Sequence, residues 1–549
     1  MSKKSNTNSF LLHGSILAFA SILCRVIGIL YRIPLQRTLG DTGMGYYSAA
    51  FQVYSILLLL SSYSMPLAVS KLISARVAKG EYRNASKIFK DATIFSLGMG
   101  LIAGGVTYFG ADTFASFTKY THSSVALRML APTLVIMSVV GVLRGYFQGM
   151  GSMIPTAVSN ILEQISNAIV SIVAATFLFD YGAKIDVSKG EDYNAVAWGA
   201  AGGTLGTGVG ALCSLIFLIF TFVIFKTVYN RRLRKDRKRR TLSHSEIAGL
   251  IVMTIVPVIL STTIYNISEM LDSTIFGNIM HTVKKVDEET YSSLYGMFSG
   301  KYRLLTNVPV SIAASLASAI IPSLIASYAK GDDEDVVAKV DSSIRFTMLL
   351  AIPAAVGMFV LSEPIMGLLF SGNIHIPGNM MRIGAISIIF YSISTITNSV
   401  LQGIDRMRVP IINSSIGLVL HVIILTILLT TTNLGIYAVV ISDVLFPLSI
   451  CILNAMSIKR YIDYKQEWVN TFIKPGISAG VMGIVAYLTY KGMNMLTGIN
   501  ALSCVIAITF AIIVYAIMLL FTKAVDEEQL YAMPKGYMLV RVFKKFGLL

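Results

Sequence analysis

Apolar residues occur along this chain in long runs that are separated by short polar segments. A helix needs about 20 mainly apolar residues to cross the hydrocarbon core of a bilayer. Fourteen runs meet this criterion, at residues 10–34, 44–67, 88–110, 124–147, 154–179, 196–225, 247–279, 294–326, 342–362, 380–402, 410–431, 434–458, 470–492 and 500–522. The pattern predicts an all-α polytopic membrane protein with about fourteen transmembrane helices.

The polar segment Phe225–Ser245 separates the sixth run from the seventh. Between Lys226 and Arg240 it carries nine Lys or Arg residues and one acid. Short basic loops stay in the cytoplasm, and they attract the anionic lipids of the inner leaflet. The loops after runs 2 and 12 are also basic, and the loop after run 5 is net acidic. We therefore predict a multi-pass plasma-membrane protein with both termini in the cytoplasm and anionic inner-leaflet lipids as partners.

Composition supports a membrane protein. The 549 residues are 54% hydrophobic and 13% charged, whereas soluble proteins carry about 25% charged residues. A nucleic-acid patch is the alternative interpretation of the basic segment, but no soluble domain surrounds it, so we expect no nucleic-acid partner. The four cysteines lie in apolar runs without metal-ligand spacing, which predicts no metal site.

Motifs typical of enzymes are absent from the sequence. There is no P-loop, G-x-S-x-G or H-E-x-x-H pattern, so we expect neither an enzyme nor a bound cofactor. The glycine-rich stretch Gly202–Gly210 follows no predicted strand, and helix packing explains it better than nucleotide binding.

An internal repeat divides the chain at the basic segment. Ala78-Lys79-Gly80 recurs as Ala329-Lys330-Gly331, at an offset of 251, and Gln148-Gly149 recurs as Gln402-Gly403, at an offset of 254. Six predicted spans separate equivalent points, so the halves have the same orientation, as in transporters built from parallel repeats. We predict an N-terminal lobe (1–225), a linker (226–246), a C-terminal lobe (247–460), two extra helices (461–525) and a tail (526–549). The tail is either an interfacial amphipathic helix or a disordered basic segment.

Ionisable residues inside the predicted spans are the candidate functional residues, because such groups usually face a bundle interior or a wet cavity. Arg25 and Arg32 lie seven residues apart on one face of the first helix. Arg37 and Asp41 follow near its outer end. Snorkelling to the interface is the alternative for Arg32 and Arg37.

Run 7 carries acids where run 1 carries cations. Glu269 and Asp272 lie three residues apart, beside Asn266, and run 8 begins with Lys301 and Arg303. These groups are either structural ion pairs or parts of a cavity in which cations bind an anionic substrate and the acids release it or bind a coupling cation. A second, weaker set is either gate pairs or helix-end residues, of which we favour helix ends; it comprises Arg144, Glu163, Arg382 and Asp443. His421 is interpreted as a satisfied core histidine.

The stretch from Ser21, SILCRVIGILYRIPLQRTLGDTGMGYYSAAFQVYS, resembles the first helical hairpin of the multidrug/oligosaccharidyl-lipid/polysaccharide (MOP) exporter superfamily. The similarity is greatest to its stage V sporulation protein B and polysaccharide-biosynthesis branch, which includes lipid II flippases. The resemblance implies two pseudo-symmetric six-helix lobes plus two C-terminal helices that form an apolar groove for a polyprenyl tail. It implies that Arg25, and with it Arg32, Arg37 and Asp41, lines a cationic cavity for a diphosphate.

The function implied by this resemblance is flipping of an undecaprenyl-diphosphate-linked cell-wall precursor, such as lipid II, to the outer leaflet by a monomeric protein. Coupling to Na⁺, H⁺ or the membrane potential would supply the energy. The sequence departs from the best-known flippases because no Arg or Lys lies between Ile247 and Met280. A flippase for another lipid-linked glycan, a cation-coupled multidrug exporter, and a membrane enzyme or scaffold of wall synthesis are the alternatives.

Overall fold

A computed structural model describes residues 20–190, 193–236 and 242–525, and the residues described there form helices and connecting segments without β-strands. The basic tail predicted at 526–549 lies outside these residues. The helices are α1 (Ala20–Leu30), α2 (Arg32–Leu58), α3 (Met65–Ala78), α4 (Tyr82–Phe109), α5 (Ala111–Thr118), α6 (Ser124–Gly149), α7 (Ile154–Lys189), α8 (Asn194–Lys235), α9 (His244–Thr282), α10 (Glu288–Met297), α11 (Arg303–Lys330), α12 (Asp333–Val360), α13 (Ser362–Leu369), α14 (His375–Gly384), α15 (Ser387–Gly403), α16 (Arg408–Thr431), α17 (Ile436–Ile462), α18 (Lys474–Thr497) and α19 (Asn500–Phe521).

Many of these helices have the length and hydropathy of membrane spans. Within the described residues, ten pass both criteria, and the pair α14–α15, bent by 47°, raises the number to eleven. The prediction of an all-α polytopic membrane protein is confirmed, and the count of fourteen stays a prediction.

Gly40 divides α2 into two helical segments. Its backbone has φ +67° and ψ −175°, which glycine adopts without the steric cost that a side chain would bring. The break lies between the limits predicted for runs 1 and 2, so residues before Gly40 belong to the first predicted span and residues after it to the second.

The chain forms two compact units, the N unit (residues 1–296) and the C unit (residues 297–549). In the N unit, Val69, Ile88 and Val140 are fully buried in one apolar core, and Ile251 of α9 is buried in the same core. The N unit therefore contains α9 in addition to the first six predicted spans. The predicted lobe limits come from the internal repeat. The division into two compact units does not test the repeat, so these limits stay predictions.

The core of the C unit lies among α11, α12, α15, α17 and α18. Its buried side chains are mainly aliphatic, and Leu324, Val340, Met348 and Leu401 are completely excluded from solvent. A second contact in this unit joins α18 to α19, the two helices that the sequence places after the repeat.

Helices α7 and α8 approach each other closely along the glycine-rich stretch. A Cβ atom on Gly202, Gly206 or Gly210 would overlap backbone atoms of Ala174, Ser171 and Glu163, respectively. Small residues four apart form one helix face that lets two backbones come together in a membrane. The helix-packing interpretation of Gly202–Gly210 is confirmed.

The sequence repeat corresponds to the same helix ending in each unit. Gly80 follows α3 and Gly331 follows α11, with φ +72° and +70°. In both places, the amide after the glycine donates to a carbonyl five residues earlier. The two hydrogen bonds are Glu81 N to Arg76 O at 2.9 Å and Asp332 N to Ser327 O at 3.2 Å. This arrangement satisfies the last carbonyls of each helix.

Packing at the second repeated pair is also equivalent. A Cβ on Gly149 would lie 2.8 Å from the Cβ of Ile73, and one on Gly403 would lie 2.7 Å from Cδ2 of Leu324. Both glycines and their partners are related by the offsets found in the sequence, 254 and 251. The repeat therefore preserves a helix contact, α3 with α6 and α11 with α15.

Replacement of Gly206 by leucine tests the close contact of α7 and α8. We expect Gly206→Leu to destabilise the N unit by about 1–3 kcal/mol, because the side chain overlaps the backbone of Ser171. Thermal unfolding of the purified protein in detergent measures the effect. Gly98→Leu is the matched control, since a Cβ on Gly98 meets nothing within 4 Å. An equal loss in both variants would contradict this interpretation, because leucine favours the helix at both positions and only Gly206 has the contact.

Candidate functional site

Arg32 lies at the start of α2, in the first predicted span. Its side chain is half-buried. It is hydrogen-bonded to the side chain of Tyr31, and it interacts electrostatically with Tyr47 and Glu269. Tyr31 and Tyr47 are buried, at 7% and 2% exposure. We call Arg32 with Tyr31, Tyr47 and Glu269 the arginine cluster.

Polar groups of α7 continue the arginine cluster. The Nδ2 of Asn167 donates to the hydroxyl of Tyr31 at 3.4 Å, and Ser171 Oγ donates to Asn167 Oδ1 at 2.9 Å. The Ser171 hydroxyl also lies 2.8 Å from the carbonyl oxygen of Gly203. These contacts are possible because the glycines of α8 let its backbone lie close to α7. The close packing of α7 and α8 therefore supports Asn167 and Ser171 behind Tyr31.

Glu269 and Asp272 come from the middle of α9. Glu269 is half-buried and Asp272 is 1% exposed. The hydroxyl of Tyr295 on α10 lies 3.4 Å from the backbone carbonyl of Glu269 and accepts a hydrogen bond from Gln52 Nε2 at 2.9 Å. The side chain of Asn266 lies outside the described part of the structure. Thus α9 carries an acid within electrostatic reach of the first-hairpin arginine Arg32.

The start of α10, which carries Tyr295, is fixed by Asp287. This carboxylate accepts hydrogen bonds from the backbone N–H of Thr290 at 2.8 Å and from its hydroxyl at 2.9 Å. The same hydrogen bonds from Thr290 lower the pKa of Asp287 below its ordinary value, because they stabilise the ionised form. Asp287 therefore acts as the N-cap of α10 in its charged state.

The other candidates of the first hairpin differ in exposure. Arg25 and Arg37 are exposed, and Asp41 is half-buried. Asp41 Oδ1 accepts a hydrogen bond from Nε2 of the buried Gln36 at 2.7 Å. This contact spans the break at Gly40 and joins the two segments of α2. The roles of Arg25, Arg37 and Asp41 in substrate binding stay predictions.

Arg144 and Glu163 form an ion pair across α6 and α7, with Nη2 2.7 Å from Oε2. The guanidinium also donates to the hydroxyls of Ser159 and Ser214, both at 3.0 Å. One arginine thus joins α6, α7 and α8. Cys24 of α1 lies within the electrostatic reach of this pair. The arrangement is that of a packing contact, and a gating role stays a prediction.

Lys301 and Arg303 lie at the beginning of the C unit and have different surroundings. A π-helical turn, Phe298–Tyr302, joins α10 to α11. Lys301 is 1% exposed, and its ammonium group donates to the carbonyls of Ser371 and Asn373 at 3.1 and 3.3 Å. Residues two apart on a helix are related by a rotation of about 200°, so their side chains lie on nearly opposite faces. The two cations therefore do not converge, and their predicted role in binding substrate is untested.

Arg303 faces the buried carboxylate of Asp443 on α17 instead. Its Nη2 lies 3.6 Å from Asp443 Oδ1. Asp443 also accepts hydrogen bonds from the hydroxyls of Tyr302 at 3.1 Å and Tyr391 at 2.8 Å. Asp443 is a candidate from the sequence, but neither tyrosine is. A tyrosine in an apolar run gives no signal that it will bind a carboxylate 52 or 141 residues away.

Two further expectations concern isolated groups. His421 is 2% exposed, and its Nδ1 lies 2.8 Å from the hydroxyl of Ser442 on α17, so the interpretation as a satisfied core histidine is confirmed. Arg382 pairs with Glu363 at 3.0 Å, at the corner of α13 and α14. Among the described residues, no group of three or more His, Cys, Asp or Glu side chains could hold a metal ion.

The fold is shared with solved membrane transporters. The structure is similar to that of "Lipid II flippase MurJ, inward closed conformation", with a TM-score of 0.68, 15% identity and coverage of 92% of this chain and 98% of that one. It is also similar to an inward-facing "multidrug resistance MATE family transporter of the MOP superfamily", with a TM-score of 0.63, 16% identity and coverage of 80% and 94%.

The sequence profile of the polysaccharide biosynthesis protein family matches residues 11–328, and the chain belongs to this family. The MatE profile matches residues 304–427. Two relatives come from Bacillus subtilis. "Lipid II flippase MurJ" is 25% identical over 76% of this chain and 77% of its own length. "Stage V sporulation protein B" is 22% identical over 96% and 98%.

The Arg144–Glu163 pair can be tested as a packing contact. We expect Arg144→Ala to cost about 1–3 kcal/mol, because it leaves a largely buried carboxylate without its partner. The double variant Arg144→Leu/Glu163→Leu should unfold at a higher temperature than Arg144→Ala, since no lone charge remains. If the double variant is no more stable than the single one, the pair is not a packing contact. Loss of transport by a stable double variant would assign the pair to gating.

Proposed function

We propose that this protein flips an undecaprenyl-diphosphate-linked cell-wall precursor, with lipid II as the first candidate, from the inner to the outer leaflet by alternating access. The arginine cluster is the observation that carries the proposal. It places a guanidinium in a predicted span among tyrosines and one carboxylate. The family membership and the relative named as a lipid II flippase support the same substrate class.

A diphosphate would compete with Glu269 for Arg32. Arginine presents a planar set of donors that matches phosphate oxygens, and such charge-assisted hydrogen bonds are stronger than neutral ones. Tyr31 and Tyr47 limit the access of water to Arg32, which strengthens its interaction with an anion. Crossing the hydrocarbon without such a partner would be prohibitive for a diphosphate, because the cost of burying an unpaired charge is very large. Arg25 and Arg37 would add positive charge from the same hairpin.

Glu269 provides a return step, in which Arg32 releases the bound diphosphate again. When the diphosphate binds Arg32, it neutralises a positive charge near Glu269, and the carboxylate becomes able to bind a coupling cation. When Glu269 binds Arg32 again, the diphosphate is displaced. Substrate release is thereby linked to an ion or to the membrane potential, which provides about 2.3 kcal/mol per charge per 100 mV. Whether Na⁺, H⁺ or the potential acts is left open by this exchange.

A cation-coupled multidrug exporter is the second candidate function. The acids of α9 favour it, since Glu269 and Asp272 lie in a helix without a single Lys or Arg between Ile247 and Met280. In that case, the acids would bind the drug or the coupling ion, and Arg32 would only hold Glu269 in place. A flippase for a different lipid-linked glycan would keep the diphosphate chemistry and change only the sugar.

The proposal predicts that Arg32 and Arg25 are needed for transport and not for accumulation of the protein. We expect Arg32→Ala and Arg25→Ala to fail to complement a strain depleted of its lipid II flippase while immunoblots show normal amounts in the membrane. Lipid II should then be inaccessible to reagents at the outer face. Arg32→Lys should retain part of the activity, because it keeps the charge but lacks the planar set of donors.

Arg128→Ala is the matched control for these variants. Arg128 pairs with Asp112 at 2.5 Å on an exposed surface, where an ion pair contributes about 0–1 kcal/mol. We expect Arg128→Ala to complement fully. Full growth with Arg32→Ala and Arg25→Ala would reject the flippase mechanism proposed for the arginine cluster.

Glu269→Gln tests the return step. This variant should bind the lipid-linked diphosphate at least as tightly as the wild type, because the competing carboxylate is neutral, yet it should deliver less substrate to the outer face. Native mass spectrometry measures the binding, and outer-face accessibility measures delivery. Unchanged delivery would exclude Glu269 from the cycle, and weaker binding would favour the drug-exporter alternative.

A further inference from the structure

The C unit contains a cavity of about 420 Å³ beside the segment that joins α17 to α18. Its floor is apolar, with Ile344 of α12 and Ile458 of α17 each 2% exposed, and Ile393 of α15 lies beside them. The exposed Ala455 and Met456 form part of the wall. We call this space the α12–α17 cavity.

Two exposed lysines, Lys459 and Lys465, also line the α12–α17 cavity. Within the part of the chain that the structure describes, no carboxylate forms an ion pair with either ammonium group. The acids of the same segment, Asp463 and Glu467, are not among the lining residues. The cavity therefore combines a positively charged rim with an apolar floor.

The segment between the lysines and α18 is held in place by hydrogen bonds. Tyr464 is 8% exposed, and its hydroxyl donates to Asp341 of α12 at 2.9 Å. Glu467 accepts hydrogen bonds from the backbone N–H groups of Asn470 at 2.8 Å and Thr471 at 3.0 Å. Burial opposes the charge of Glu467, but these two donors outweigh it and lower its pKa. Glu467 is thus ionised and fixes the start of the π-helical turn before α18, and it does not line the cavity.

Trp468 completes the rim. Its side chain is 63% exposed and also lines the cavity. Tryptophan is enriched at membrane–water interfaces, where its ring lies at the level of the lipid headgroups. The basic character of this loop places it on the cytoplasmic side by the positive-inside rule. The α12–α17 cavity then lies at the depth of the inner-leaflet headgroups.

We propose that the α12–α17 cavity is a binding site for an anionic phospholipid of the inner leaflet. Lys459 and Lys465 hold the phosphate-bearing headgroup, Trp468 lies beside the glycerol region, and one acyl chain covers the apolar floor. Two observations favour a resident phospholipid: neither lysine forms an ion pair with a carboxylate of the described residues, and the apolar floor adjoins both lysines in one cavity. All residues that line this site belong to the C unit, and the proposal does not depend on the identity of the transported substrate.

Native mass spectrometry of the full-length protein in detergent tests the site. The probes are phosphatidylglycerol, phosphatidylcholine with the same acyl chains, and undecaprenyl diphosphate. The wild type should bind phosphatidylglycerol in preference to phosphatidylcholine. In Lys459→Ala/Lys465→Ala, the affinity for phosphatidylglycerol should fall about 30-fold, because each basic residue near an anionic surface contributes about 1 kcal/mol and 1.4 kcal/mol is tenfold.

Two further variants distinguish lipid binding inside the cavity from a general attraction of anionic lipid to surface lysines. Ala455→Trp keeps both lysines and fills the apolar part of the cavity, so it should also lose phosphatidylglycerol. Lys330→Ala removes an exposed lysine of the C unit that does not line the cavity, and it should bind as the wild type does.

Three results would overturn the proposal. The first is unchanged phosphatidylglycerol binding in the double lysine variant. The second is full binding in Ala455→Trp, since attraction without the cavity would then suffice. The third is a preference of the site for undecaprenyl diphosphate that the double lysine variant removes, because the cavity would then hold transported lipid and not a resident phospholipid.

Discussion

The polar contacts around Arg32 depend on the free energy of a guanidinium inside a membrane-spanning helix. A lone charge there is unfavourable by several kcal/mol, so it persists only with partners. Arg32 has such partners in Tyr31, Tyr47 and Glu269. The tyrosines are fixed by packing, since Asn167 and Ser171 support Tyr31 from α7, and the glycines of α8 allow α7 to lie close enough. Glu269 is the partner that an anion could replace. The same contacts that make Arg32 tolerable in the N unit therefore prepare it for exchange with a phosphate.

The sequence predicts the features that depend on local patterns and on repetition. Apolar run lengths predict a polytopic helical membrane protein, and the small-residue spacing of Gly202–Gly210 predicts a close helix pair. The repeated Ala-Lys-Gly predicts an equivalent helix end, and Gly80 and Gly331 adopt the same left-handed conformation. The sequence predicts these features because each of them depends on residues that are close together in the chain. The charges in the spans also indicate which groups need polar surroundings, and Arg32 near Tyr31, Tyr47 and Glu269 is an example.

Features that arise from tertiary contacts are not readable in the same way. Lys301 and Arg303 are close in sequence, which suggests one cationic site. However, a π-helical turn ends between them. Lys301 donates to the Ser371 carbonyl, whereas Arg303 faces Asp443. Tyr302 and Tyr391 bind Asp443 from other helices, and nothing in their local sequence indicates it. The inclusion of α9 in the N unit depends on the burial of residues such as Ile251 in the core of that unit. A hydropathy pattern shows that Ile251 is apolar, but it does not show which helices it packs against.

The central claim is that the Arg32 guanidinium holds a lipid-linked diphosphate. Its most direct test compares the affinity of the purified protein for undecaprenyl diphosphate with that for undecaprenyl monophosphate, in the wild type and in Arg32→Ala. The account predicts that the wild type prefers the diphosphate and that the substitution largely removes this preference while binding of the common polyprenyl tail persists. The same preference in both proteins would contradict it, because another part of the molecule would then recognise the phosphates.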